Sequence, residues 1–129
     1  NDLQNGDTPE QVRDDFAAFV AKVRQDQPEV PIAFISIKPS VARMNLLSNI
    51  ERANALIRDW SMAQKGVAFL DVAPAMLDTN GQPKQELFVG DGLHMNPKGY
   101  ALWVAQVRPW LAEHAAAAEV KRDPNAAMK

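Results

Sequence analysis

Hydrophobic positions recur along this chain in two different rhythms. Val12, Phe16, Phe19, Val20 and Val23 return every three or four residues, the spacing that lines one face of a helix. Thr8-Pro9-Glu10-Gln11 stands just before them, with Thr8 as the N-cap, Pro9 at the first helical position and Gln11 at the third, where it completes a capping box. Pro28 stops this run after Gln27. From Val30 to Ile37 the pattern becomes an almost unbroken apolar run rich in β-branched residues, which predicts a strand covered on both faces in a parallel sheet. Lys38-Pro39-Ser40 ends it. Leu46, Leu47, Ile50, Ala53, Ile57 and Trp60 predict a second amphipathic helix from about Met44 to Gln64, closed by Lys65 and Gly66. Val67 to Val72 predicts a second buried strand.

The turn formers Asp78-Thr79-Asn80-Gly81-Gln82-Pro83 make Ala73 to Gln85 a surface loop. A last helix is predicted to start at Asn96-Pro97 and to carry Tyr100, Trp103, Val104 and Val107 inward, with Pro109 kinking or ending it. The order helix, strand, helix, strand, loop, helix is half of an α/β layer architecture. Two strands buried on both faces require further strands and covering helices, because an isolated parallel pair leaves backbone and apolar surface unpaired. The expectation is therefore that residues 1–114 form the C-terminal part of one α/β domain whose other strands lie upstream. Residues 115–129, alanine-rich and charged without a repeating apolar face, are expected to be a flexible tail.

Composition narrows the function classes. The 129 residues are 47% hydrophobic and 23% charged with a net charge of -2, so the chain has material for one modest core and no basic face for nucleic acid. There is no cysteine, which excludes thiolate nucleophiles and Cys-ligated zinc but leaves the compartment open. No apolar run approaches the roughly 20 residues of a membrane span. The opening residues have no signal-peptide character, although a removed signal is compatible with them. Secreted or periplasmic placement is slightly preferred over cytoplasmic.

Of the two histidines, His114 sits near the end of the last helix with no neighbour that needs a base, and reads as a surface residue favoured by the helix dipole. His94 is different. It follows Asp91 by three residues, in a loop with Gly90 and Gly92 that leads into the Asn96-Pro97 cap. An imidazole acting as a general base needs its second nitrogen held by an acceptor, and an aspartate on the same turn can supply that bond. Spacing alone leaves open a plain loop contact for Asp91 and a packing role for His94. A catalytic zinc usually requires three protein ligands, which this region does not offer, so no metal and no cofactor is expected. Asp71 and Asp78 read as capping or loop-holding residues.

The segment Asp91-Gly92-Leu93-His94, followed by Asn96-Pro97-Lys98-Gly99-Tyr100 and an aromatic helix, resembles the last block of the SGNH, or GDSL-type, hydrolases, which reads Asp-x-x-His. Asn1-Asp2 resembles the second half of that family's Gly-x-Asn-Asp block, and the helices and strands between the two match its order. The resemblance spans Asn1 to about Leu111. It implies a three-layer α/β/α flavodoxin-like fold of which this chain supplies two parallel strands. It also implies that His94 is the general base, Asp91 its orienting acid and Asn1 a side-chain donor to the oxyanion, in a serine esterase or lipase acting on a small-molecule ester through an acyl-enzyme.

Two blocks of that family are missing, the one that carries its nucleophile and a second whose glycine donates a backbone N–H to the oxyanion hole. The nucleophile stands in a Gly-Asp-Ser turn, and none of Ser36, Ser40, Ser48 and Ser61 has those flanks. Ser40 is the one candidate substitute, because the loop after a parallel strand lies at the sheet edge where ligands of α/β folds collect. Ser40, with Lys38 and Arg43 of the same loop, is accordingly a candidate substrate-cleft residue, against the plainer reading of a solvated loop. The nucleophile is expected on a missing N-terminal segment or a second chain, with this chain alone inactive. The alternative is a catalytically inactive module with a binding or interaction role.

Overall fold

The computed structural model describes residues 1–122, with side chains to residue 115. Helix α1 (Pro9–Asp26) begins as its sequence predicts: the Thr8 hydroxyl accepts from the Gln11 backbone N–H and the Gln11 side chain accepts from the Thr8 N–H. Strand β1 (Ile32–Ile35) follows. A 3₁₀ segment (Val41–Leu46) leads into helix α2 (Leu47–Met62), and strand β2 (Val67–Leu70) comes next. Short 3₁₀ turns at Pro74–Met76 and Gln85–Leu87 interrupt the long connection to helix α3 (Pro97–Arg122).

β1 and β2 pair in parallel, Ile32 opposite Val67 and Ile35 opposite Leu70. Alternation along the strands sorts their side chains. Ile32, Phe34, Val67 and Phe69 join Val12, Phe16 and Val20 of α1 and Ile50, Ala53 and Ile57 of α2 in the main core. The Phe16 ring meets Phe34 and Trp60 edge-on, with centroids 4.8 Å and 5.6 Å apart. A second, smaller core of Met76, Leu87, Phe88 and Met95 lies under the long connection, packed against Val41, Leu102 and Trp103.

The structure departs from the sequence reading in three places. The strands are four residues each and mostly half-buried, not covered on both faces, because one face of this two-stranded sheet lacks the packing that α1 and α2 give the other. Tyr100 and Val104, expected to point inward, are 55% and 46% exposed, as is Leu111 at 54%. Together with Trp103, Val107 and Ile35 they line an open apolar groove between α3 and the sheet. Finally, Pro109 lies inside α3 without ending it; helix continues through part of the expected tail to Arg122, and residues 123–129 lie outside the described residues. Among the described residues no helix is long and apolar enough to cross a membrane.

A buried hydroxyl holds the end of β1 to the chain leaving β2. Ser36 Oγ accepts from the Val72 and Ala73 N–H groups at 2.9 Å and 3.0 Å. Removing it leaves two poorly solvated donors unpaired, so Ser36→Ala should lower stability by about 1–3 kcal/mol. The check is the urea midpoint; an unchanged midpoint would mean that these bonds contribute nothing.

Candidate active site

The segment from Phe88 to Asn96 is a compact loop closed on itself. Val89 N–H donates to the His94 carbonyl at 2.9 Å, and Gly92 N–H donates to the Val89 carbonyl at 3.0 Å. Gly92 adopts φ +66, and a Cβ there would meet Val41 Cβ at 3.3 Å, so both conformation and space favour glycine. Asn96 then joins loop to helix. Its Oδ1 accepts from Lys98 and Gly99 N–H at 3.0 Å and 3.1 Å, while its Nδ2 donates to the Glu86 carbonyl at 2.7 Å. The N-cap thus also anchors the helix start to the Gln85–Leu87 turn.

Gly99 is needed for a different reason. A Cβ at this position would sit 2.6 Å from the Leu87 carbonyl oxygen and 2.9 Å from Met95 Cβ, and a backbone atom cannot give way cheaply. Gly99→Ala should therefore destabilise by about 1–3 kcal/mol despite the better helix propensity of alanine. A denaturation midpoint at or above the wild-type value would contradict this account.

Within the loop, one Asp91 oxygen accepts from the Leu93 and His94 N–H groups at 2.8 Å and 2.9 Å. The other oxygen lies 2.6 Å from His94 Nδ1. These bonds hold the Asp91 carboxyl well below the usual carboxylate range, first through the His94 side chain and then through the two backbone donors. An ionised carboxylate can only accept, so Nδ1 carries the proton and donates a hydrogen bond to Asp91. Nε2 is left as the basic nitrogen. Because the folded pKa lies below the unfolded one, the stabilisation from these bonds is complete above the unfolded carboxylate pKa and is lost as pH falls through the depressed value. His94 remains 72% exposed at the side chain, open to a reacting group.

One cation, Lys38, and one backbone amide, that of Ala42, brace this loop from the chain after β1. Lys38 Nζ donates to the Leu93 carbonyl and lies 5.7 Å from the Phe88 ring centroid. Its ammonium pKa is lowered, first by burial and then by repulsion from Arg43. Ala42 N–H donates to the Gly92 carbonyl at 2.9 Å. Asn54 of α2 holds the exit from β1, accepting from the Ile37 N–H at 2.7 Å and donating to its carbonyl at 2.9 Å. Arg43 reaches the other way, its Nη2 donating to Asn1 Oδ1 at 2.9 Å. Asn1 itself starts a tight turn, in which its carbonyl accepts from Asn5 N–H at 2.9 Å and that of Asp2 accepts from Asp7 N–H at 3.0 Å.

Asn1, Ser40, Arg43 and His94 all line one cavity of about 440 Å³, with Asp91 behind His94. The cavity's apolar side includes Phe34, Ile37, Leu46 and Ile50. Ser40 is 2% exposed and stands at the N-cap of the 3₁₀ segment without making a side-chain cap bond. Among the described residues no serine hydroxyl is hydrogen-bonded to His94: Ser36 is engaged with Val72 and Ala73, and Ser48 and Ser61 lie on α2. His114 is half-buried, stacked on Trp110 at 4.1 Å, and is not part of the cavity. Asp71 is exposed, and Asp78 holds its loop by accepting from Asn80 and Gln82 N–H at 2.8 Å and 3.0 Å. One carboxylate oxygen from each of Asp2, Asp7 and Asp15 lies within 4.8 Å of the others, and Asp2 also lines the cavity.

The sequence reading missed Lys38 and Asn54 as braces and the Arg43 tie to Asn1. The spacing of Asp91 to His94 advertises their contact, whereas nothing local signals bonds between residues 42 or 55 positions apart.

Residues 1–102 match the model of the GDSL-like Lipase/Acylhydrolase family. No curated protein matches the chain at a significant level. Among solved structures, a Streptococcus pneumonia protein provisionally assigned as a platelet activating factor superposes with a TM-score of 0.77 at 24% identity, over 86% of this chain and 55% of its own. The chain thus spans about half the length of that relative, and the likeness is one of fold.

Proposed function

The chain belongs to the GDSL-like Lipase/Acylhydrolase family, and from that premise we propose that residues 1–114 are the C-terminal part of a serine-esterase domain whose nucleophile lies on a segment outside this chain. The observation that carries the reading is the 2.6 Å contact between Asp91 and His94 Nδ1, on the rim of the cavity that Asn1 also lines. It gives a base with its tautomer set and a side-chain amide on the same cavity.

In this mechanism the serine Oγ attacks the ester carbonyl carbon while His94 Nε2 takes its proton, and Asp91 stabilises the imidazolium that forms. The oxyanion accepts from the Asn1 Nδ2–H, an interaction that strengthens as charge develops. Collapse breaks the carbon–oxygen bond to the leaving alkoxide, which takes the proton from His94. Water, deprotonated by the same nitrogen, then cleaves the acyl-enzyme and regenerates the serine. The apolar wall of Phe34, Ile37, Leu46 and Ile50 suits the acyl group. The open groove along Tyr100, Val104 and Leu111 supports the same reading, because an α/β sheet with a bare apolar face calls for a further packed layer.

The test compares hydrolysis of a short-chain p-nitrophenyl ester by this chain and by the protein extended upstream, each treated with a serine-directed phosphonate. Turnover and labelling of an upstream serine in the extended protein alone are the expected outcome. Equal turnover by both would refute the missing nucleophile. Failure of the extended protein to hydrolyse any ester would favour the other reading, an inactive module with a binding role, for which the observation is that no described serine engages His94.

A further inference from the structure

We propose that Arg43 is a positioning residue that dictates which end of the Asn1 side-chain amide is presented to the cavity, an inference resting on the oxyanion role given to Asn1 above. An asparagine amide is planar, with an acceptor on one side and two donors on the other, and the two arrangements occupy nearly the same volume. Sterics therefore choose weakly between them. A guanidinium chooses strongly, because it has five donors, no acceptor and no accessible neutral form.

Arg43 Nη2 stands 2.9 Å from Asn1 Oδ1. The flipped amide would place donor against donor at that distance. Holding the oxygen leaves Nδ2 without a hydrogen-bond partner among the described residues, free for an acceptor in the cavity that Asn1 and Arg43 both line. An oxyanion is such an acceptor.

Arg43 is itself well placed for this. It occupies a break in the 3₁₀ segment, with φ -118 and ψ 31, and its N–H donates to the Ser40 carbonyl at 3.2 Å. The preceding residue, Ala42, is bonded to Gly92, and Lys38 to Leu93. One short stretch of chain therefore grips the His94 loop with Lys38 and Ala42 and the Asn1 turn with Arg43. Among the described residues neither Lys38 nor Arg43 is paired with a carboxylate, so Arg43 is not committed elsewhere.

The experiment uses the protein extended upstream, with Arg43→Gln, Arg43→Lys and Asn1→Ala, alone and combined. Arg43→Gln should lower kcat about 10- to 100-fold, bounded by the loss of one oxyanion donor, with little change in KM. Arg43→Lys should recover part of the loss, since an ammonium also only donates. In the Asn1→Ala background Arg43→Gln should have no further effect; independent, multiplying effects would overturn the proposal. A second readout does not depend on activity: with ¹⁵N-labelled asparagine, the Asn1 side-chain NH₂ resonances should move in Arg43→Gln and return toward wild type in Arg43→Lys. Unmoved resonances also overturn it. If Asn1→Ala leaves kcat intact, the oxyanion role fails, and the resonances alone decide whether Arg43 orients the amide.

Discussion

Replacing His94 with alanine in the upstream-extended protein is expected to lower kcat/KM for a p-nitrophenyl ester by about 10⁴- to 10⁶-fold. The reason is the combination of an exposed Nε2 and an engaged Nδ1. His94 is 72% exposed at the side chain, and its other nitrogen lies 2.6 Å from Asp91. A solvent-facing histidine in a loop needs no such partner for stability, so truncating it removes proton transfer without opening a core. The fold should survive: His94 contributes backbone bonds to Val89 and Asp91 that alanine keeps. Unaltered circular dichroism together with the loss of turnover is the expected pair of results. A loss below about tenfold would show that another group takes the proton, since general-base catalysis is generally worth at least 10²-fold.

Asp91→Asn should cost on the order of 10²- to 10⁴-fold in kcat, and the chemistry of the amide explains why. Asparagine can keep the two backbone bonds from Leu93 and His94, which fall on a single Asp91 oxygen, so the loop should hold its shape. The other position, facing Nδ1, would then be an NH₂ donor. His94 must answer with an acceptor at Nδ1, which moves its proton to Nε2 and removes the base. Asp91→Ala is a harsher change, because it also releases the Leu93 and His94 N–H groups. If Asp91→Asn and Asp91→Ala reduce kcat equally while only Asp91→Ala lowers the melting temperature, the tautomer carries the effect. If Asp91→Asn retains full activity, Asp91 serves the loop alone.

The elements that were legible in the sequence share one property: their determinants lie within a few residues of one another. Thr8 and Gln11 form the capping box that their spacing implies, and Asn96 with Pro97 starts α3 as expected. Asp91 and His94, three residues apart, meet because a single turn delivers one side chain to the other. The α3 face was misread for the complementary reason. Periodicity marks Tyr100, Trp103, Val104 and Val107 as an inward face, but it does not say what covers it, and in the structure Tyr100 and Val104 stay exposed. Of the two outcomes open to Pro109, kinking or ending the helix, the structure excludes the ending. Losing one backbone donor and straining one turn can be offset by the bonds on either side of it, and the helix runs on.

What the sequence determined by itself was therefore local: helix starts, the parallel-strand character of the two apolar runs, and the placement of Asp91 on the same turn as His94. Tertiary structure alone decided that Asn1, Ser40, Arg43 and His94 share a cavity, that Arg43 meets Asn1, and that Lys38 and Ala42 brace the His94 loop. Those contacts depend on the parallel register of β1 on β2 and on α1 and α2 packing over one sheet face. A parallel pair places the chain leaving β1 and the chain leaving β2 at the same edge. Bonds across that edge are satisfied only once the sheet has formed, which is why no spacing along the chain announces them.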